Sequence, residues 1–215
     1  MIIVFRLFGR GGLLHPTLNI AKYRSLIPEE TKDKIVLNVG AGGHRLAPHI
    51  INLDLFRGKE VDIMGDAHCL PFRNESVDCV LLLAVLEHVP EPKEVISESH
   101  RVLKRSGVVY CEFPFLQPEH NAPGDYWRVT LNGIRHSFKD FEEIDAGICG
   151  GPGSAVSWVL VEYSRVIFKG KYLAKIMSLL TRVLVSPLKY IDRSIVKRGG
   201  CEVLSSSFYF YGRKL

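Results

Sequence analysis

Lys34-Ile35-Val36-Leu37-Asn38-Val39-Gly40-Ala41-Gly42-Gly43-His44 is the stretch that decides the fold. Its apolar, β-branched run ends abruptly in glycines, which predicts a buried parallel strand followed by a tight turn. Glycine permits positive φ and lets a ligand approach the backbone where a Cβ would collide. Open α/β sheets bind ligands at the carboxyl ends of their strands, so this loop is a candidate binding site. Taken alone, the glycines also fit an ordinary strand-to-helix turn.

Composition predicts one globular domain, because 215 residues with 47% hydrophobic and 24% charged residues can bury a substantial core. The net charge of +5 suits an anionic ligand, a membrane surface or simply a solvated basic surface. No arginine-rich run or zinc-finger spacing is present, so nucleic acid is not an expected partner. Five scattered cysteines without a C-x-x-C pair favour a reducing, cytoplasmic compartment and no structural zinc.

Two further strands are predicted to end in acids. Residues 50–55 form the second strand, and Asp54 at its tip can accept hydrogen bonds from both hydroxyls of a ribose or can simply face solvent. The interval from Gly40 is short, so the intervening helix is predicted to be short as well. Residues 61–67 form a third strand, where the Asp66 carboxylate can accept from an adenine amino group and the Ala67 N–H can donate to a ring nitrogen.

A fourth strand over 77–84 is almost continuously apolar, which predicts helices on both of its faces. A helix follows over 92–105, with a proline in its first turn, basic residues in its last turn and a glycine stop at Gly107. Its apolar residues at helical spacing predict a core-facing stripe. The fifth strand is predicted over 108–114.

These motifs together resemble the class I S-adenosylmethionine-dependent methyltransferases, and more narrowly their small-molecule "type 11" branch. The residues that carry the resemblance are Asn38 to Gly43, Asn52-Leu53-Asp54, Gly65-Asp66-Ala67, Leu70-Pro71-Phe72, Leu86-Glu87-His88-Val89, Val102 to Gly107 and Phe113-Pro114. These segments make up four spaced motifs, which occur in the family's order over roughly residues 34–114. The chain departs from the family pattern at Asn38, where an acid is usual, and at Leu83, where a polar residue is common.

The resemblance implies a cofactor site for S-adenosylmethionine and no metal. The implied cofactor-binding residues are Gly40, Ala41, Gly42, Asp54, Leu55, Asp66, Ala67 and Leu83. The glycine loop would approach the methionine part by its backbone, and Asp54 would hold the ribose. Asp66 and Ala67 would hold the adenine, while the Leu83 carbonyl would face the cofactor's amino group.

The segment 115–130, which leaves the fifth strand at the same sheet edge, is the candidate acceptor site because loops there carry binding groups on a rigid scaffold. The candidate catalytic residues are His120, Asp125 and Arg128. His120 can take a proton from a hydroxyl or be an ordinary loop histidine. Asp125 can orient His120. Arg128 can bind a phosphate or carboxylate, cap a helix, or pair with Asp125.

Aromatic residues in the same segment leave two alternatives. Tyr126 and Trp127 offer flat faces on which sugars or rings stack, or they pin the loop to the core. Thr130 is predicted to be the N-cap of a helix over 131–138. His88, outside this segment, is predicted to be a packing residue rather than a ligand or base.

The carboxyl-terminal third is predicted to hold a sixth strand over 142–148, a helix over 155–168 and a last, antiparallel strand over 202–212. Residues 172–190 are apolar with interspersed basic residues, which fits a helical insert over the substrate mouth or a basic amphipathic element on a membrane. The apolar start of the chain, residues 1–10, either packs on the domain or touches a membrane surface.

We therefore expect an α/β, Rossmann-like, doubly wound and mostly parallel sheet of seven strands with the last antiparallel, plus a C-terminal helical insert. The single domain 1–215 would divide into a lead-in (1–31), a cofactor-binding core (32–150), an insert (151–200) and the last strand (201–215). No oligomeric state is predicted.

The expected function is S-adenosylmethionine-dependent methyl transfer to a small or lipid-linked acceptor. The D-Y-W-R segment resembles proteins of surface-glycan or sugar methylation, which favours a sugar hydroxyl and a cytoplasmic protein that touches the inner membrane face. The alternatives are a non-catalytic cofactor-binding sensor of the same fold and a nicotinamide-dependent oxidoreductase. The missing G-x-G-x-x-G disfavours the second.

Overall fold

The structure is a computed structural model that describes residues 15–20, 33–43, 45–120 and 123–215. Within these residues one sheet holds seven strands in the order β3-β2-β1-β4-β5-β7-β6. The strands are β1 Val36–Val39, β2 Ile51–Asp54, β3 Ile63–Met64, β4 Val77–Leu83, β5 Leu103–Pro114, β6 Glu142–Gly150 and β7 Ser207–Arg213. The helices are α1 Pro92–Val102, α2 Leu131–Ser137, α3 Pro152–Ile167, α4 Lys171–Val185 and α5 Leu188–Ile195, with 3₁₀ turns at Leu86–His88 and Cys201–Leu204.

Strand β1 lies at the centre of the parallel part of the sheet. It pairs in parallel with β2 and with β4, and Val39 stands opposite both Leu53 and Leu82. The carboxyl ends of these strands therefore lie level at one sheet edge, which brings their following loops together. Strands β2 and β3, and strands β4 and β5, are also parallel pairs.

Strand β7 runs antiparallel beside β5. The Ser106 N–H donates to the carbonyl of Lys214 at 2.9 Å, and the Lys214 N–H donates to the carbonyl of Gly107 at 2.9 Å. This reciprocal exchange is the pattern of an antiparallel ladder. The predicted fold, a mostly parallel seven-stranded sheet with an antiparallel last strand, is confirmed.

The core of the sheet is built by the apolar runs that the sequence marks as strands. Val36, Leu37 and Val39 of β1 are buried, and residues 80–82 of β4 are fully buried. Near-continuous burial of a strand means that both of its faces are covered, as predicted for β4. In α1 the predicted stripe is buried as Val95, Ile96, Ser99 and Val102.

Several predicted boundaries were wrong. The described residues between β1 and β2 form turns and no helix, because Gly40 to Ile50 leaves too little chain for one. Strand β3 is only two residues long, and β5 begins at Leu103, directly after α1. The stretch 172–190 forms parts of two helices, broken at Ser186-Pro187.

The predicted last strand over 202–212 begins late, at Ser207, because Cys201–Leu204 forms a 3₁₀ turn. The predicted helix over 155–168 starts at Pro152, whose fixed φ suits a first turn. The predicted N-cap is confirmed, since the Thr130 hydroxyl accepts from the Gly133 N–H at 3.1 Å. The apolar start of the chain, residues 1–10, and most of the predicted lead-in over 1–31 lie outside the described residues.

The chain divides into two compact units. The larger consists of the described residues of Lys22–Pro114, His120–Gly147 and Tyr209–Leu215, and it contains β1 to β5 with α1 and α2. The smaller consists of the described residues of Met1–Ala21, Phe115–Glu119 and Ile148–Phe208, and it contains α3 to α5. The division of a single domain into lead-in, core and insert remains a prediction.

One buried carboxylate organises the smaller unit. Asp192 of α5 is fully buried and accepts from the N–H groups of Gly153 and Ser154 at 2.7 and 2.9 Å, at the start of α3. A carboxylate at this position satisfies free helix N–H groups and complements the positive end of the helix. It therefore ties α3 to α5.

Substitution of Gly40 by alanine is expected to lower the free energy of unfolding by about 1–3 kcal/mol. Gly40 has φ +65°, and a Cβ there would lie 2.6 Å from Cγ2 of Val85. Gly43→Ala is the matched control, because a Cβ at Gly43 would meet no described atom within 4 Å. Urea unfolding of both variants measures the difference, and equal losses would contradict the strained-turn explanation.

Candidate functional site

The loops after β1, β2 and β3 are joined by hydrogen bonds at one edge of the sheet. The Gly42 N–H donates to Oδ2 of Asp54 at 2.8 Å, and the Ala41 N–H donates to the carbonyl of Leu53 at 3.1 Å. The Gly65 N–H donates to the carbonyl of Asp54 at 3.0 Å. The structure therefore brings the predicted glycine loop, the Asp54 tip and the β3 end into one cluster.

Asp54 is held rigidly while remaining half-exposed. Its Oδ2 accepts from Gly42 and its Oδ1 accepts from the Phe56 N–H at 2.9 Å. Each carboxylate oxygen can accept more than one hydrogen bond, so both can still accept from hydroxyls of a ligand. Leu55, the neighbouring predicted residue, is 56% exposed. Its apolar side chain can contact a ligand that reaches the Asp54 carboxylate.

Asp66 stands just beyond β3 and is ordered by the next turn of the chain. Its Oδ1 accepts from the His68 N–H at 2.9 Å and lies 2.6 Å from Nδ1 of the His68 ring. These contacts, the backbone bond foremost, hold the pKa of the Asp66 carboxyl below its ordinary value. Asp66 is thus an ionised acceptor at neutral pH, with Ala67 directly after it.

The end of β4 turns sharply back towards the glycine loop. Ala84 has φ +56°, a conformation that costs about 1 kcal/mol for a residue with a side chain. Its N–H donates to the carbonyl of Glu112 on β5 at 3.1 Å. The turn follows Leu83 directly and places Val85 against Gly40. The 3₁₀ turn Leu86–His88 therefore begins beside the glycine loop, which is the candidate cofactor-binding loop.

Asp125 and Arg128 form a tight ion pair in the segment after β5. Nη2 of Arg128 donates to Oδ2 of Asp125 at 2.6 Å, and Nη1 donates to Oδ1. Asp125 Oδ2 also accepts from the His120 N–H at 2.8 Å. The Arg128 hydrogen bond, helped by that of His120, lowers the pKa of Asp125 to about 2. Of the alternatives for Arg128, the structure shows the pair with Asp125.

Tyr126 and Trp127 are each held by a hydrogen bond to backbone carbonyls, while their rings remain partly exposed to solvent. The Tyr126 N–H donates to the carbonyl of Glu87 at 2.7 Å. Nε1 of Trp127 donates to the carbonyls of Val89 and Pro90 at 3.1 and 3.2 Å. The two residues are still 57% and 44% exposed, so their faces can also stack on a ligand.

A cluster of Glu87, His88 and His120 forms where the two loops meet. The Glu87 side chain is 1% exposed, and its Oε1 lies 3.9 Å from Nε2 of His88 and 3.9 Å from Nε2 of His120. The two imidazole rings meet edge to face with centroids 5.2 Å apart. We call this group the Glu87 cluster.

Sequence reasoning missed the Glu87 cluster. It placed His120 in the acceptor segment and interpreted His88 as a packing residue. A signal was available: Glu87-His88 follow β4, His120 follows β5, and these strands are parallel neighbours. Residues that follow neighbouring parallel strands meet at the same sheet edge.

Comparison with known proteins agrees with this arrangement. A family model described as a methyltransferase domain matches residues 38–111, which run from β1 into β5. The match covers less than half of the chain and includes the loops after β1, β2 and β3. The predicted resemblance to class I S-adenosylmethionine-dependent methyltransferases and the predicted cofactor class are confirmed.

Solved structures share the fold at low sequence identity. A SAM-dependent methyltransferase from Thermotoga maritima is 15% identical with a TM-score of 0.56, over 100% of this chain and 93% of that one. The phosphoethanolamine N-methyltransferase 2 of Haemonchus contortus, solved with S-adenosyl-L-methionine, is 15% identical with a TM-score of 0.51, over 84% of this chain and 48% of that one.

Curated relatives match only parts of the chain. An uncharacterized protein of Methanocaldococcus jannaschii is 34% identical over 84 residues, which are 34% of this chain and 41% of that protein. This chain spans less than half the length of the curated relatives it matches, at 13% and 41%. Among the described residues, no helix combines the length and apolar character needed to cross a bilayer.

Proposed function

We propose that the protein transfers a methyl group from S-adenosylmethionine to a small or lipid-linked acceptor, with a hydroxyl of a sugar or surface-glycan precursor as the leading candidate. The observation that carries the transfer is the hydrogen-bonded junction of the glycine loop, Asp54 and the end of β3 at one sheet edge. That junction lies inside the segment that matches a methyltransferase domain.

The residues at this edge fit the cofactor. A Cβ at Gly42 or Gly43 would meet no described atom within 4 Å, so the loop has a bare face for a ligand. Asp54 then binds the ribose hydroxyls, beside Leu55, and Asp66 with Ala67 binds the adenine. Gly40, Ala41 and Leu83 present backbone groups to the methionine end. When bound, the cofactor supplies a methyl group on a positively charged sulfur.

The reaction asks the chain mainly to position two reactants. The acceptor oxygen forms a bond to the methyl carbon while the carbon–sulfur bond breaks, and its electron pair stays on sulfur to give the neutral thioether. The hydroxyl proton passes to His120 or to solvent in the same step or just before it. In-line placement about 3 Å from the methyl carbon and exclusion of water supply most of the acceleration.

The acceptor side is the segment around His120. Asp125, fixed by Arg128, holds the backbone of His120, and Nε2 of His120 faces the buried Glu87 carboxylate. The imidazole is therefore placed to take a proton or to hold a cation beside a hydroxyl. The exposed faces of Tyr126 and Trp127 support a ring-shaped acceptor, since such faces stack on sugars.

Calorimetry with S-adenosylmethionine and its demethylated product tests the cofactor site. We expect saturable binding of both, and folded protein that binds neither would refute the proposal. Incubation with radiolabelled methyl donor and a cell extract then tests transfer. Labelled glycan or glycolipid is the expected product, whereas binding without any transfer would favour the alternative of a cofactor-binding sensor.

The helices of the smaller unit support peripheral contact with an anionic membrane. Residues 151–200 hold nine Lys and Arg against two acids, an excess of seven positive charges where the whole chain has +5. Helix α4 exposes apolar side chains at helical spacing: Tyr172, Leu173, Ile176, Leu180, Val183 and Leu184. A basic helix with an exposed apolar stripe is typical of elements that lie in a membrane interface.

Sedimentation with vesicles tests this contact. We expect association with vesicles rich in phosphatidylglycerol, weaker association at high salt, and loss of association in Ile176→Glu/Leu180→Glu. The matched control is Val203→Glu/Leu204→Glu, which places the same two charges at apolar residues that are 79% and 44% exposed outside the helix. Equal sedimentation of both variants, or none of the native protein, would remove the membrane from the proposal.

A further inference from the structure

The Glu87 cluster has the composition and spacing of a metal site. Glu87, His88 and His120 each offer one ligand atom, and these atoms lie within 4.8 Å of one another. Ligands at about 2.0–2.2 Å from a common ion stand roughly 3–4 Å apart. The separations of 3.9 Å from Oε1 of Glu87 to each Nε2 fall in that range. Small side-chain rotations would close the remaining gap.

Each histidine is held at its Nδ1 atom, which leaves Nε2 of each ring on the side of the Glu87 carboxylate. Nδ1 of His88 contacts the carbonyl of Gly124, which can only accept, so Nδ1 carries the proton and Nε2 keeps its lone pair. Nδ1 of His120 lies 3.4 Å from Oδ2 of Asp125 and 3.4 Å from Nη2 of Arg128, so the Asp125–Arg128 ion pair holds this ring from behind. A carbonyl or carboxylate behind the ring fixes the tautomer and raises the basicity of a ligating imidazole.

We infer that Glu87, His88 and His120 bind one divalent transition-metal cation, with Zn²⁺ as the expected ion. Two imidazoles and one carboxylate suit Zn²⁺, Co²⁺, Mn²⁺ or Fe²⁺ and disfavour Mg²⁺ and Ca²⁺, which prefer all-oxygen sets. Three protein ligands leave at least one position open, as in catalytic rather than structural zinc sites. This inference replaces the expectation that the chain needs no metal.

The location gives the cation a role that rests on the proposed function. Glu87 and His88 follow Val85, which packs on Gly40 of the cofactor loop, so the open position lies next to the methionine end of the cofactor site. A bound cation lowers the pKa of a hydroxyl that coordinates it. The hydroxyl proton then leaves to solvent, and His120 serves as a ligand instead of a base. The acceptor class is a hydroxyl with a neighbouring oxygen that can complete the coordination.

Binding of Co²⁺ and Zn²⁺ to the metal-depleted protein, without cofactor or acceptor, tests the site. Co²⁺ absorption reports the ligand field, and displacement by Zn²⁺ gives relative affinities. We expect one ion per chain and at least tenfold weaker binding in Glu87→Gln and in His120→Gln. His136→Gln is the matched control, because His136 is an exposed histidine of α2. Cys69→Ser removes the exposed thiol that can bind these ions independently.

The outcomes separate this inference from the proposed function. Equal metal affinity in the native protein, Glu87→Gln and His120→Gln would overturn the site, as would a full loss of binding in Cys69→Ser alone. Should Glu87→Gln fail to fold, the His120→Gln variant carries the same test. If methyl transfer persists unchanged after a chelator has removed the cation, the cation's role in the reaction is overturned, whereas the metal site itself is not. Absence of cofactor binding by a protein that still binds Zn²⁺ overturns the proposed function, and with it the cation's role, but leaves the metal site standing.

Discussion

Substitution of Asp54 by alanine is expected to weaken the binding of S-adenosylmethionine by about 100-fold or more while the protein stays folded. The carboxylate is held at the junction by the Gly42 and Phe56 N–H groups. Two hydrogen bonds from ribose hydroxyls to a charged acceptor contribute about 3 kcal/mol together, which corresponds to roughly two orders of magnitude in affinity. Titration calorimetry with the demethylated cofactor measures the loss.

The matched control for this substitution is Asp140→Ala, which removes an exposed carboxylate at the turn before β6. It should bind the cofactor as the native protein does. Thermal unfolding of both variants shows whether the fold survives, since the Asp54 carboxylate also organises the glycine loop. Unchanged affinity in Asp54→Ala would show that the ribose lies elsewhere.

His120→Ala is expected to lower kcat by about 10²–10⁴ while the affinity for the cofactor changes by less than about twofold. His120 lies in the acceptor segment. Its Nε2 is 3.9 Å from Oε1 of Glu87. Either as a proton acceptor or as a cation ligand, it acts on the acceptor oxygen. Single-turnover transfer of labelled methyl, with cofactor binding measured in parallel, gives the two numbers.

His136→Ala serves as the comparison, because it removes an exposed imidazole from α2 without touching the Glu87 cluster. Native-like turnover is expected there. A His120→Ala variant with native kcat would remove His120 from the acceptor chemistry. A parallel collapse of cofactor affinity would instead assign His120 a role in the cofactor site.

The cofactor side of the site could be predicted from the sequence because local patterns specify it. An apolar run that ends in glycines dictates a strand and a turn, and an acid at the next strand tip must lie at the same edge of a parallel sheet. Asp54 and Asp66 follow from that rule alone. Their hydrogen-bond partners, Gly42 and His68, depend on turn geometry that spacing does not reveal.

The acceptor side could be predicted only in part, because it depends on how one loop folds back onto another. Tyr126 is bonded to the backbone of Glu87, 39 residues earlier in the chain. No periodicity links these positions, so the sequence analysis named His120 as a site residue without predicting that it meets Glu87 and His88. The late start of β7 has a similar cause, since the alternation over 202–212 does not distinguish a strand from a 3₁₀ turn.

The close fit of Val85 against Gly40 has a mechanical consequence. Gly40, the first glycine of the loop after β1, packs against Val85 at the start of the turn that leads to Glu87. A shift of the loop at Gly40 would therefore move Val85, and with it Glu87 two residues further along the chain. In the proposed function, this one contact between Gly40 and Val85 would set the position of the methyl donor relative to the acceptor.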